Sequence, residues 1–179
     1  MRAKERRFDV QTVVKAGFLV AISIVITRFF YIMLPIGGVS GLRITFGELP
    51  IMIAGFLFGP IIGGLTGIAA DLIGVLINPM GPYFPGFTFS SMMWGVIPGL
   101  VMIISGNGRS FSLKKTMTSV TISYLLISLV LNTLWLSMLY SSAFIVLLPP
   151  RILVSVISIP IMGLILNTLL NRLKAFAKS

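Results

Sequence analysis

Long apolar stretches, separated only by short gaps rich in Pro, Gly and charge, fill the 179-residue chain and decide what it can fold into. Apolar residues make up 56% of it and charged residues 10%, and the mean hydropathy is +1.06. Soluble domains carry about 25% charged residues, so this chain lacks the charge to cover a water-facing surface. Division at charges, prolines and glycines leaves six apolar segments, about 12–34, 48–59, 61–78, 88–105, 116–140 and 149–172, each read as a helix. A crossing needs roughly 20 apolar residues, fewer where neighbours bury the helix. Gly59-Pro60 marks a tight turn between the second and third segments. The expected fold class is an all-α membrane protein, a bundle of six transmembrane helices spanning residues 1–179 as a single domain.

Charge placement orients this bundle. The chain has 14 Lys and Arg, 4 Asp and Glu, no His and no Cys, for a formal net charge of +10. A nucleic-acid binder of pI 10.8 would gather its basic residues on one solvated face. Here they stand at the ends and in the gaps, so nucleic acid is not an expected partner. Arg2, Lys4, Arg6, Arg7 and Lys15 open the chain, Arg109, Lys114 and Lys115 separate the fourth and fifth segments, and Arg172, Lys174 and Lys178 close it. Six crossings put all three clusters on the cytoplasmic side with both termini, as the positive-inside rule requires; five would put the last one outside. The start resembles a signal peptide, but Arg28 interrupts it and no small-x-small cleavage site follows, so it reads as a retained first helix. Without His or Cys, and with no GxxxxGK[ST] phosphate loop, neither a metal, a cofactor nor catalysis is expected.

Three arginines break the charge rule: Arg28 inside the first helix, Arg43 in the loop after it, and Arg151 at the start of the sixth, all on the outer half. Asp71 lies within the third helix, where a charged side chain faces the bundle interior, a cavity or a partner. Gly63, Gly67 and Asp71 recur at i, i+4 and i+8, and Gly74 and Asn78 continue that face, which therefore packs inward. Arg28 stands at the matching depth, so an Arg28–Asp71 ion pair is expected, with or without a polar ligand. Between the third and fourth helices a Pro- and Gly-rich run presents Tyr83, Phe84 and Phe87, as an interfacial belt or as a stacking lid for a flat ring. The Gly-rich first loop, Pro35 to Gly47, would form the lid's other half. Gly17-x-x-x-Ala21 suits close helix contact within the bundle or with another subunit. Glu48 is expected to serve the positive end of the second helix, with a ligand contact as the lesser alternative.

Two stretches are more specific: Leu42-Arg43-Ile44-Thr45-Phe46-Gly47-Glu48-Leu49-Pro50-Ile51 running on to Phe58-Gly59-Pro60, and Ala69-Ala70-Asp71-Leu72-Ile73-Gly74 followed by Gly81-Pro82-Tyr83-Phe84-Pro85-Gly86-Phe87-Thr88. With Ile26-Thr27-Arg28-Phe29, they resemble the substrate-binding S component of energy-coupling-factor (ECF) vitamin transporters, closest to the folate-specific branch. The resemblance covers roughly residues 12–100; residues 105–179 match in hydropathy and helix count only. It implies a plasma-membrane subunit that binds a vitamin from outside and works with a transmembrane coupling subunit and two ATP-hydrolysing subunits. In that family an Ala-x-x-x-Ala pair on the first helix docks the coupling subunit; here Gly17 replaces the first Ala.

Folate then suits the remaining residues. Its flat pterin offers paired N–H donors that Asp71 would accept, its glutamate tail offers carboxylates to Arg43 and Arg151, and Tyr83, Phe84 and Phe87 would stack on or close over the ring. Riboflavin or another flat vitamin is the nearest alternative, although a neutral cargo does not need the arginines. A proton-coupled secondary transporter working through Asp71 and a membrane-embedded lipid enzyme are the other classes weighed.

Overall fold

The computed structural model describes residues 9–36, 39–79, 81–106, 111–141 and 143–176. The helices are α1 (Val10–Phe29), α2 (Glu48–Phe58), α3 (Pro60–Ile77), α4 (Pro85–Ile104), α5 (Leu113–Tyr140) and α6 (Phe144–Phe176). Between α1 and α2 the chain forms an antiparallel hairpin of β1 (Tyr31–Ile36) and β2 (Val39–Thr45). The bundle is helical as expected, but the first helix ends at Phe29 rather than near residue 34, and the supposed Gly-rich loop is mostly this hairpin. Tyr31-Ile32-Met33-Leu34 is an aromatic and apolar run that hydropathy alone cannot assign to helix or strand. Tyr31 pairs with Thr45 and Met33 with Arg43, and the ladder is irregular around Pro35, which has no N–H to donate.

Five of the six helices, all except α2, are long and apolar enough to cross a membrane. At 11 residues α2 is about 16 Å long, half of a roughly 30 Å hydrocarbon layer. The expected second crossing is therefore a short helix held inside the bundle, with every residue from Leu49 to Phe56 buried. It still reverses the chain: its start lies against α1, where the Ser23 hydroxyl donates to the Gly47 carbonyl at 2.7 Å, and its far end turns at Gly59. Gly59 has a φ of 91°, a left-handed conformation that other residues rarely adopt, and Pro60 then starts α3 with its φ already helical.

The glycine face foreseen on α3 is the tightest contact in the bundle. A Cβ on Gly63 would meet Gly55 of α2 and the Gly95 carbonyl of α4, and a Cβ on Gly67 would meet the Ser91 backbone of α4. Small residues let membrane helices approach to backbone contact, where packing replaces the absent hydrophobic drive. Further contacts alternate the helix directions. Arg28 meets Asn78 at the matching ends of α1 and α3, Trp94 of α4 meets Tyr124 of α5, and Met117 of α5 meets Gly163 of α6. The start of α1, the α2–α3 turn, the start of α5 and the end of α6 therefore share one end of the bundle.

Met52, Ile127, Met162, Leu166 and Leu170 are buried in the core, whereas Phe18, Leu76, Ile104 and Ile145 stand exposed on the outer helix faces. A soluble monomer does not expose large side chains at this density, and here the outer faces meet lipid. The protein is integral to the membrane. Gly95→Leu forces a branched side chain into the α3 backbone; overpacking of this kind costs about 1–3 kcal/mol, read as a lower thermal unfolding midpoint of the detergent-solubilised protein. Gly17→Leu, at a position with open space around it, leaves the midpoint unchanged.

Candidate functional site

All six helices contribute to a cavity of about 300 Å³ at the end of the bundle away from the start of α1. Arg28, Asp71, Tyr83, Phe84, Phe87 and Arg151, singled out from the sequence, all line it. Arg43 lies on β2 opposite Met33, and its side chain lies outside the described residues. Gly17 and Ala21 are not part of the cavity: both sit on the outward face of α1, in a strip with exposed Val14, Phe18 and Val25.

The ion pair expected from matching depth is present. Arg28 Nη2 lies 3.7 Å from Asp71 Oδ1, with the two side chains 6% and 14% exposed. Arg28 also donates from Nη1 to the Asn78 carbonyl at 3.2 Å, and Asn78 Nδ2 donates back to the Arg28 carbonyl at 3.4 Å. The Nε–Nη2 edge of the guanidinium lies against Gly74, where a Cβ would stand 2.8 Å from Nε. On the other side of Asp71, the Thr88 hydroxyl donates to Oδ2 at 2.7 Å, and Tyr83 OH lies 3.0 Å from Thr88 Oγ1. A hydroxyl has one proton, so Tyr83 is the donor to Thr88. One chain of polar contacts thus ties α1, α3, the α3–α4 connection and α4 together.

The aromatic cluster is only partly an open lid. Tyr83 is exposed, but the Phe84 ring packs 5.7 Å from Trp135 and 6.0 Å from Phe87, and Trp135 Nε1 donates to Ser90 Oγ at 3.1 Å. Phe84 is wall as much as cover, fixed to α5 by a tryptophan that the sequence reading did not select.

Arg151 also differs from expectation. It stands about two turns inside α6 rather than at its start, 8% exposed, and donates from Nη1 to the Ser128 carbonyl at 2.8 Å. Among the described residues it has no carboxylate partner. Its acceptor lies in a π-helical stretch of α5, Tyr124–Leu131, a widened geometry frequent at functional sites. Tyr124, Ser128 and Asn132 turn one face of this stretch toward the cavity. Their spacing of four, polar groups within an apolar span, was the available signal for them.

Opposite the mouth, Trp94 and Tyr124 meet edge to face at 5.1 Å, both buried. Glu48, expected first to serve the start of α2 and second to contact a ligand, lines the cavity beside Ile51. No group of His, Cys, Asp and Glu able to hold a metal occurs among the described residues.

A family model described as the S component of ECF-type riboflavin transporters matches residues 7–175. The folate transporter FolT of Clostridium novyi (strain NT) is 34% identical over 157 residues, 88% of this chain and 86% of that protein. A second FolT, from Leuconostoc mesenteroides subsp. mesenteroides, is 26% identical over 171 residues, 93% of this chain and 88% of its own. Among solved structures, a crystal structure of FolT bound with folic acid superposes with a TM-score of 0.79 at 29% identity, covering 92% of this chain and 95% of that one. The S component of a bacterial ECF transporter superposes at 0.71 with 23% identity over 94% and 98%, a likeness of fold.

Removing one side of a buried ion pair leaves the other charge uncompensated, at a cost of about 3–5 kcal/mol, while apolar replacement of both is near neutral. Arg28→Leu is therefore expected to lower the ligand-free unfolding midpoint sharply and Arg28→Leu with Asp71→Leu to restore most of it, measured by thermal unfolding in detergent.

Proposed function

Because the chain belongs to the family of ECF-type riboflavin transporter S components, we propose that it captures folate outside the cell and delivers it inward as the binding subunit of an ATP-driven importer. It is a binding protein rather than an enzyme. The observation that carries the choice of cargo is Arg151, a guanidinium buried in the cavity wall with a carbonyl acceptor and, among the described residues, no carboxylate. A buried charge without a counter-ion is costly, and an anionic ligand supplies the missing charge. Folate brings carboxylates; riboflavin is neutral. The FolT relatives point the same way, since those proteins carry folate in their names and one was solved with folic acid bound.

In this reading Arg151, together with Arg43 from the hairpin, takes the tail carboxylates, Tyr83, Phe84 and Phe87 cover the ring, and the Arg28–Asp71 pair forms one polar wall. Residues 1–179 act as one domain. The bundle end that holds the start of α1, the start of α5 and the end of α6 carries Lys15, Lys114, Lys115 and Arg172, and it faces the cytoplasm, with the cavity outward. The setting is the plasma membrane, with lipid around the outer helix faces. The outward Gly17–Ala21 strip of α1 docks the transmembrane coupling subunit, and two ATPase subunits complete the transporter.

Riboflavin is the second reading, favoured by the description of the matching family model. Titration of the purified full-length protein, followed by tryptophan fluorescence, separates the two: folate is expected to bind and riboflavin not, and the reverse result overturns the cargo assignment. Arg151→Gln is expected to weaken folate by about 2–5 kcal/mol. Asp71→Asn is expected to weaken it by about 1–3 kcal/mol through the loss of charge-assisted bonds.

A further inference from the structure

One backbone carbonyl of α5 is out of its usual pairing, and side chains gather around it. In an α-helix the Ser128 carbonyl accepts from the N–H four residues on, that of Asn132. The π-helical stretch Tyr124–Leu131 has a wider register, and the Asn132 N–H donates instead to the Ile127 carbonyl, five residues back. Two side chains then donate to the Ser128 carbonyl: Thr133 from Oγ1 at 3.3 Å and Arg151 from Nη1 at 2.8 Å. Thr133 is fully buried and lies off the cavity, whereas Arg151 lines it. The widened turn thus fixes one arm of the guanidinium to a helix. A guanidinium carries five N–H groups, and this contact uses one of them.

Asn132 stands beside this contact. A helix carbonyl points along the axis toward the residues four and five ahead, so Arg151 Nη1, held against the Ser128 oxygen, is level with Asn132. Ser128, Asn132 and Arg151 all line the cavity. Asn132 Oδ1 is enclosed, and no donor among the described residues reaches it. Buried amide oxygens are nearly always paired, because an unpaired one has given up its hydration for nothing. The two neighbours therefore have opposite needs. Among the described residues the guanidinium lacks an anion and the amide oxygen lacks a donor. A bare carboxylate answers only the first need. A carboxylate and an amide N–H borne on one carbon answer both, and that is the arrangement at the α-carbon of an N-acyl amino acid.

We propose that Asn132 is a specificity residue that reads the N-acyl amino-acid end of the ligand: its Oδ1 accepts the amide N–H while Arg151 holds the neighbouring α-carboxylate. The inference rests on the folate reading and deepens it, since folate is an N-acyl glutamate. Arg151 supplies charge, and Asn132 recognises the link between ring and tail. The π-helical turn positions both, because an ordinary α register would return the Ser128 carbonyl to the Asn132 N–H.

The test uses folate and its ester analogue, in which oxygen replaces the N–H of the glutamate amide, titrated against the purified full-length protein. The wild type is expected to prefer folate by about tenfold, since the ester leaves Oδ1 without its donor. Asn132→Leu is expected to abolish that preference, and Arg151→Gln to weaken both ligands alike and keep it. A preference for folate that survives Asn132→Leu overturns the assignment. Unfolding midpoints of the ligand-free proteins give a second readout. Asn132→Leu removes an unpaired polar atom, so its midpoint is expected to hold or rise; a lowered one marks a structural amide and overturns the assignment. Asn132→Asp gives Arg151 a counter-ion within the protein, so the midpoint is expected to rise while folate affinity falls. An Asn132→Asp protein no more stable than the wild type puts the side chain out of reach of Arg151 and overturns the paired site. Failure of the wild type to bind folate at all, with riboflavin bound instead, overturns the cargo reading itself and is distinct from these results.

Discussion

A guanidinium held inside a membrane bundle has to be compensated, and the way Arg28 is compensated organises the mouth of this protein. Asp71 supplies the charge, Asn78 the carbonyl and Gly74 the space. These three residues lie on one face of α3, so the arginine ties the ends of α1 and α3 together. Through Thr88 and Tyr83 the same network reaches α4 and the connection before it. Losing Arg28 or Asp71 would leave its partner's charge in a region where water is scarce, which is why the network is better regarded as a unit than as separate bonds.

The cavity exists because the element that should have filled it is short. Had α2 been a full crossing, it would have run on alongside α1 past Ser23 toward the outer surface. Instead the hairpin brings the chain down to the level of Ser23 before α2 begins. The glycines of α2, α3 and α4 close the opposite end tightly, so the open space is confined to one half of the bundle. Aromatic side chains then shape that space: Trp135 fixes Phe84 to the wall, and Trp94 and Tyr124 form the deep end.

Much of the site was legible before any coordinates, and for a physical reason. A charge in an apolar span is expensive, so Arg28, Asp71 and Arg151 stood out, and their residue positions gave depths that matched an ion pair correctly. The glycine face of α3 was legible from its spacing. What escaped notice had no such contrast. Tyr31 to Ile36 is as apolar as the helix before it, so its strand conformation was hidden. Trp94, Tyr124 and Trp135 look like any core aromatics. Arg151 was recognised but placed too near the helix end, because Pro149-Pro150 suggested a start that α6 ignores by beginning at Phe144.

The sequence by itself determined that the chain lives in a membrane, that it is a helical bundle with its basic residues gathered toward one end, and that a few misplaced charges have to meet something polar. Those conclusions depend on transfer free energies, which act residue by residue and leave their mark in composition and spacing. Only the tertiary structure decided which helix is too short to cross, which carboxylate pairs with Arg28, and which aromatic side chains shape the deep end of the cavity. Those are matters of where side chains from distant segments converge, and convergence depends on packing among all six helices at once.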